Sequence, residues 1–352
     1  MDKFKALHEY LRTATDRDTI HTDGQPLILH ANDFFTPLDW KELPVQDWMQ
    51  VNGGPLQTEF ATKFINGTLS PEDCRRIGFR EYTSHKAVIR RTIVEVAGTF
   101  LTAQLALACT TTCSKKHGQD GQSLRRPAAM ACHTAGGTHH AHPSFGSGFT
   151  ILNDLAITAH LLLSQPQWQV HKVLVIDCDV HQGDGTAAFR NATNALRDGL
   201  TTLSIHCQSN FPFRKVNGTY DIGLEDELGD DDYMQVLQTH IPKIVQEVQP
   251  DIILYDAGVD VYQHDSLGRL QLTLDGIRRR DAYILDYCCI QQGIPVAAVV
   301  GGGYDTDLTR LAMRHAIVHQ EASRLWRKHE LWKHVPTTSE RGDQDLCQAT
   351  TK

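Results

Sequence analysis

Apolar and polar positions change period several times along this chain, and each change marks an element. Asp2 to Thr15 carries Phe4, Leu7 and Leu11 at helical spacing, so an amphipathic helix begins almost at the first residue. From His21 to Asn52 the pattern is irregular, broken by Pro26, Pro37 and Pro44. Pro55 to Ile65 and Pro71 to Ile77 read as short helices opened by proline. Val88 to Ala108 reads as a long helix whose broad apolar stripe packs on a sheet. Ala128 to Cys132 reads as a short strand and Ile151 to Leu163 as a helix. Beyond that, strands at 173–177, 201–206, 252–255 and 295–300 alternate with helices near 185–192 and at 231–247, 275–290 and 305–330. Such alternation predicts parallel strands joined by right-handed crossovers, hence an α/β doubly wound sheet. One domain is expected over 1–333, without repeat or linker. Residues 334–352 lack apolar anchors and are expected to form a disordered tail.

The rest of the chain is organised around VLVIDCDVHQGDG, residues 173–185. Its first four residues are apolar, as in a strand buried on both faces. The stretch then turns polar but keeps the two-residue period, so Asp177, Asp179 and His181 project to one side and Cys178 and Val180 to the other. Gly183 and Gly185 end the strand. Adjacent carboxylates repel unless a cation holds them, and the carboxyl end of a buried strand is where α/β proteins place chemistry. Asp184 taken alone also fits a cap of the next helix.

Three more loops follow predicted strands. The first, GGTHHAHPSFGSGF (136–149), holds His139 and His140, adjacent histidines that make poor core material. Another reads Asp256-Ala-Gly-Val-Asp260, in which Asp260 could complete a metal site, although alone it would pass for a cap or turn. The last is Gly301-Gly-Gly-Tyr304, whose glycines let backbone pass close to a ligand while Tyr304 projects into that space. Converging at one sheet edge, Asp179, His181 and Asp260 would give a three-ligand oxygen–nitrogen–oxygen site with a position left for water. That is the arrangement of a catalytic zinc rather than a structural one. Water held there is acidified enough for a nearby base to deprotonate it near neutral pH.

Bulk composition narrows the setting. The 352 residues are 41% hydrophobic and 22% charged, as in a globular protein with a sizeable core. A net charge of −8 without a basic stripe argues against direct nucleic-acid binding, and Arg278-Arg-Arg280 reads as one solvated helix face. No apolar segment reaches membrane-spanning length, and no signal peptide is expected. Nine cysteines without CxxC spacing indicate neither a disulfide framework nor a zinc cage, and Cys288-Cys289 reads as core. An intracellular setting follows: nucleus or cytoplasm in a eukaryote, cytoplasm in a bacterium.

The motifs GGTHHAHPSFGSGF, DCDVHQGDG, DAGVDVYQHDSLGRLQLT and GGGY, in this order, resemble the zinc-dependent histone deacetylase family. HCQSNFPFRK (206–215) and GDDDYM (229–234) are similar to its class IV branch. The resemblance runs from about residue 2 to about residue 320. It implies the arginase–deacetylase fold, a three-layer α/β/α domain with a mostly parallel central sheet. It also implies one Zn2+ per chain on Asp179, His181 and Asp260, with a structural K+ on Asp177, Asp179 and the Ser204 region. His140, paired with Asp184, is then the general base toward water, and His139, paired with Asp177, its electrostatic or proton-donating partner. Tyr304 stabilises the oxyanion, and Gly148 and Phe149 line the acyl-lysine tunnel. The expected activity is hydrolysis of acetyl or longer acyl groups from lysine in histones or other proteins, a chromatin-regulating chemistry. Acetylated polyamines, or a catalytically weak acyl-lysine-binding scaffold, are the alternatives.

Three departures stand out. Thr150 replaces a cysteine common in relatives. Met1 starts inside a segment where relatives carry a strand and a His-x-Phe-Pro-Met-like stretch, so that strand and part of the pocket rim are expected to be missing. The polar stretch 114–126 has no counterpart. A two-manganese ureohydrolase would need acids where this chain has Gly183, Gly258 and Tyr262, so a one-metal site is expected. Small residues at Gly146, Gly148, Thr150 and Gly302 leave room for long acyl chains, so acyl length stays open.

Overall fold

The computed structural model describes residues 2–13, 35–37, 41, 43–110 and 127–334. The polar stretch 114–126 and the tail from 335 lie outside them. Helix α1 (Asp2–Thr13) is followed by two short 3-10 turns, Val45–Trp48 and Gln50–Asn52, and by α2 (Thr58–Ile65), α3 (Pro71–Ile77) and α4 (Lys86–Ala108). The core of the fold is then β1 (Met130–Cys132), α5 (Asp154–Ser164), β2 (Val173–Asp177), α6 (Asp184–Phe189), α7 (Asn194–Gly199), β3 (Leu200–Cys207), β4 (Tyr220–Leu224), α8 (Asp230–Val248), β5 (Ile252–Asp256), α9 (Leu274–Leu285), β6 (Val296–Val299) and α10 (Leu308–Lys328). A π-helical turn, Asp286–Gln291, continues α9 and buries Cys288 and Cys289.

The six strands form one sheet in the order β1-β6-β5-β2-β3-β4, with every pair parallel. Both faces are covered, which is why the central strands are apolar without interruption. Leu174 and Ile176 of β2, with Ile253 and Tyr255 of β5, join the core beneath α8, α9 and α10. Val173, Val175, Ile252 and Leu254 point the other way, into the core under α4 and α5. Three layers follow from that alternation. Helix α1 packs against α10 through Leu7 and Leu11, which meet Val300, Ala312 and Ala316.

Several expectations change. The helix expected near 185–192 is α6, ending at Phe189, and a further short helix, α7, follows before β3. Strand β4 has no counterpart in the sequence reading because it lies at the sheet edge, and its residues YDIGL alternate between half-exposed and exposed up to the buried Leu224. Arg278-Arg-Arg280 is not one solvated face: Arg280 is fully buried, with its guanidinium under the strand ends. Ion pairing and carbonyl contacts, invisible to a count of charges, bring it inside. Among the described residues no helix is long and apolar enough to cross a membrane.

Candidate active site

The two-residue period of β2 persists past its last hydrogen bond. Cys178 and Val180 stay in the core with Leu174 and Ile176, so Asp177, Asp179 and His181 emerge together on the opposite side. Backbone amides then fix the carboxylates. Asp179 Oδ2 accepts from Gly302 N at 2.7 Å, and Asp260 Oδ1 accepts from Val180 N at 2.9 Å. Each acid keeps its other oxygen for His181, whose Nδ1 lies 3.0 Å from Asp179 Oδ1 and 3.2 Å from Asp260 Oδ2. Glycine is required at 302, because a Cβ there would collide with both carboxylates.

A metal ion would fit these three donors. With bonds of about 2.0–2.1 Å, a tetrahedral zinc keeps its ligand atoms about 3.3 Å apart, close to the spacings here. The electrostatics also call for a cation. Burial and Asp179 push Asp260 up to about 7. Burial opposes the charge on His181, but Asp179 and Asp260 overcome it and raise His181 to about 10. The imidazolium thus supplies positive charge that a metal would otherwise bring.

Beside this cage sit the two histidines of the 136–149 loop, their ring centroids 4.1 Å apart. His139 Nδ1 is 2.8 Å from Asp177 Oδ2, and His140 Nδ1 is 2.6 Å from Asp184 Oδ1, so both expected pairs form. Their protonation differs. Burial works against charge on His139, yet Asp177 and Asp179 hold its pKa well above the usual value. Burial and the neighbouring His139 lower His140 to about 4, leaving it neutral. Asp184 opens α6 but caps nothing with its side chain; its second oxygen takes His142 Nε2 at 2.9 Å. Pattern reading missed that role of His142.

The loop itself hangs from Asp154, a fully buried acid at the start of α5. It accepts from Thr138 N at 2.7 Å and Gly137 N at 3.0 Å, while Thr99 of α4 donates to it at 2.6 Å. Asp265 does the same for the glycine loop, accepting from Tyr304 N at 2.7 Å. Neither acid stands out in sequence, since each sits amid ordinary helix or turn residues. Asp256 is the least expected. It is fully buried, both its oxygens lack a partner, and burial beside Asp177 pushes its pKa well up. His139, Asp177 and Asp256 are close enough to form a second cation-holding group.

A cavity of about 430 Å³ serves the site, lined by His139, His140, Asp179, His181 and Tyr304 together with Gly148, Phe149 and Thr150. Exposed Phe149 and Leu267 mark its mouth. Phe211, from the HCQSNFPFRK segment, stands 4.8 Å from the His140 ring. Gly146 was expected in the wall; instead it packs on Ile77 and the Thr150 carbonyl. Tyr304 is partly buried, and that burial with Asp260 and Asp179 raises its pKa, so its hydroxyl stays a donor.

Fold and site together define a hydrolase-type α/β domain in which a carboxylate–imidazole cage adjoins paired histidines. Residues 63–319 match the histone deacetylase domain. The chain is 38% identical over 324 residues to an uncharacterized protein of Picosynechococcus sp., covering 92% of this chain and 91% of that one. It is 30% identical to the acetoin utilization protein AcuC of Staphylococcus aureus, over 68% of this chain and 59% of that one. With histone deacetylase RPD3 of Saccharomyces cerevisiae it shares 34% identity over 50% of this chain and 40% of RPD3. An acetylpolyamine aminohydrolase structure from Burkholderia pseudomallei aligns at a TM-score of 0.48 and 20% identity, over 68% of this chain and 63% of that one. The chain belongs to the histone deacetylase family, whose members are hydrolases.

Proposed function

We propose that the protein hydrolyses the amide of ε-N-acyl-lysine in proteins, histones among them, with one zinc ion on Asp179, His181 and Asp260. One observation carries this reading above the others: two adjacent histidines with ring centroids 4.1 Å apart, each backed by a carboxylate, beside a group of three possible metal donors. The bound ion supplies Lewis acidity toward the scissile carbonyl and toward water. Neutral His140 takes the proton from the attacking water, and Asp184 keeps its Nδ1 engaged so that Nε2 is free to accept. Charged His139 stabilises developing negative charge and can hand a proton to the departing amine. Tyr304 donates to the carbonyl oxygen as it becomes an oxyanion. Phe149 and Phe211 flank the lysine stem, burying its methylenes. The expected potassium ion behind β2 would rest on backbone carbonyls, because Asp177 already accepts from Asp179 N and pairs with His139.

The test is a metal count together with a rate comparison. Purified protein should hold about one zinc per chain, and two tightly bound manganese ions would favour the ureohydrolase reading. An acetyl-lysine peptide should be hydrolysed faster than acetylspermidine; turnover of acetylspermidine alone overturns the protein-substrate reading.

A further inference from the structure

The far end of the cavity does not fit a plain hydrocarbon acyl chain. Beyond the ligand cage it is lined by Lys3, Phe4, Arg91, Glu95 and Gly136. Glu95 is buried and spends itself locally: Arg91 Nη2 lies 2.9 Å from one oxygen, and Gly136 N donates to the other at 3.3 Å. Lys3 has no such partner. Its amine donates to the carbonyl of Gly301 at 3.2 Å, and no carboxylate among the described residues is within ion-pair distance. The Phe4 ring lies 5.0 Å from the Lys3 amine and 5.4 Å from the Arg91 guanidinium, so both cations gather at one end. Two positive groups face one acid at this end, while Asp260 and Asp179, which also act on Lys3, are held in the ligand cage.

Its position relative to the reacting atoms is fixed by the glycine loop. Gly301 accepts from Lys3, and the next residue, Gly302, donates to the ligand Asp179. The Lys3 ammonium, without a carboxylate in direct contact, therefore lies one peptide unit from the metal cage, a short alkyl chain away. Burial lowers the Lys3 pKa, and an incoming anion would favour its charged form. A long saturated chain would have to desolvate both cations and Glu95 without compensation, which is unfavourable. A chain ending in a carboxylate would instead satisfy the open donors.

We infer that this end of the cavity is a carboxylate subsite, and that the preferred acyl group is short and dicarboxylic, of the succinyl or glutaryl type, its free carboxylate bound by Lys3 beside Arg91. This rests on the amidohydrolase reading and refines its substrate class. The reaction is ordinary hydrolysis: water's oxygen bonds to the acyl carbon, the C–N bond breaks, the proton ends on the amine nitrogen, and a dicarboxylic acid leaves.

The test uses one peptide carrying acetyl-, butyryl-, succinyl- or glutaryl-lysine, with the metal-loaded protein, Lys3→Met and Lys3→Arg. The wild type should hydrolyse succinyl- or glutaryl-lysine with a kcat/KM at least about 10-fold above butyryl-lysine, the worth of one charge-assisted hydrogen bond. In Lys3→Met the succinyl-to-butyryl ratio should fall about 10- to 100-fold and largely recover in Lys3→Arg. Ratios within one protein cancel any general loss of active enzyme. A wild type that favours butyryl over both diacids overturns the inference while leaving the amidohydrolase reading intact; hydrolysis of none of the four removes both. Acetate and glutarate are compared as product inhibitors. If acetate binds as tightly as glutarate and Lys3→Met weakens the two equally, the site only receives the departing carboxylate, and the inference fails.

Discussion

Arg280 offers the sharpest test of how the site is held. Its guanidinium lies beneath two strand ends and donates to the carbonyls of Ala257 at 3.1 Å, Gly258 at 2.6 Å and Cys178 at 3.2 Å. Its Nε donates to Asp281 Oδ1 at 2.9 Å, and Tyr255 donates to the same oxygen at 2.5 Å. One side chain therefore ties the β2 end, which presents Asp179, to the β5 end, which presents Asp260. Arg280→Met keeps much of the stem but leaves Asp281 buried without its cation and three carbonyls without a donor. Removing one member of a buried pair costs about 3–5 kcal/mol, a large fraction of the roughly 5–15 kcal/mol that holds a domain folded. Chemical denaturation followed by fluorescence should show an unfolding free energy lowered by that amount. Chelator competition should show metal held about 10- to 100-fold more weakly, as for other residues that orient ligands. Arg280→Met with Asp281→Leu should recover part of the stability, because the stranded charge is gone while the carbonyls remain unpaired. A single variant within about 1 kcal/mol of wild type, with unchanged metal affinity, would refute the tie between these loops.

Asp179→Ala or His181→Ala should abolish metal retention by elemental analysis of the purified protein, since two remaining donors compete poorly with water. His140→Ala and Tyr304→Phe should keep the metal while kcat falls, about 100- to 10,000-fold for the base and about 100- to 1000-fold for the oxyanion donor. Full activity in Tyr304→Phe would remove that assignment. Acid stability gives an independent check through His319 of α10, which burial lowers from 6.5 to about 4. As pH falls below 6.5 the unfolded chain takes up this proton and the folded one does not, so stability drops through the window from 6.5 to 4 and is unaffected above it. Discounting for a partly exposed ring, His319 accounts for about 1–2 kcal/mol. His319→Gln should show a shallower loss between pH 7 and pH 4.5; an identical pH slope refutes the account.

Much of this protein is legible along the chain because short-range periodicity encodes it. The two-residue alternation from Val173 to His181 by itself puts Asp177, Asp179 and His181 on one side, and the core side chains of Cys178 and Val180 explain why the alternation survives the strand's end. Strand–helix alternation likewise sets the parallel sheet, and the polar loops that follow its strands meet around one cavity. What periodicity cannot carry is contact between residues far apart in sequence. Arg280 reads as one of three surface arginines until α9 lays it beneath two strand ends. Asp154 and Asp265 are plain acids until loops from elsewhere bring them backbone amides. His142 shares Asp184 with His140 only because the 136–149 loop folds over α6. Lys3 shows the same limit most sharply. In sequence it is a polar position on an amphipathic helix, and only the docking of α1 against α10 brings its amine to the Gly301 carbonyl and into the cavity wall.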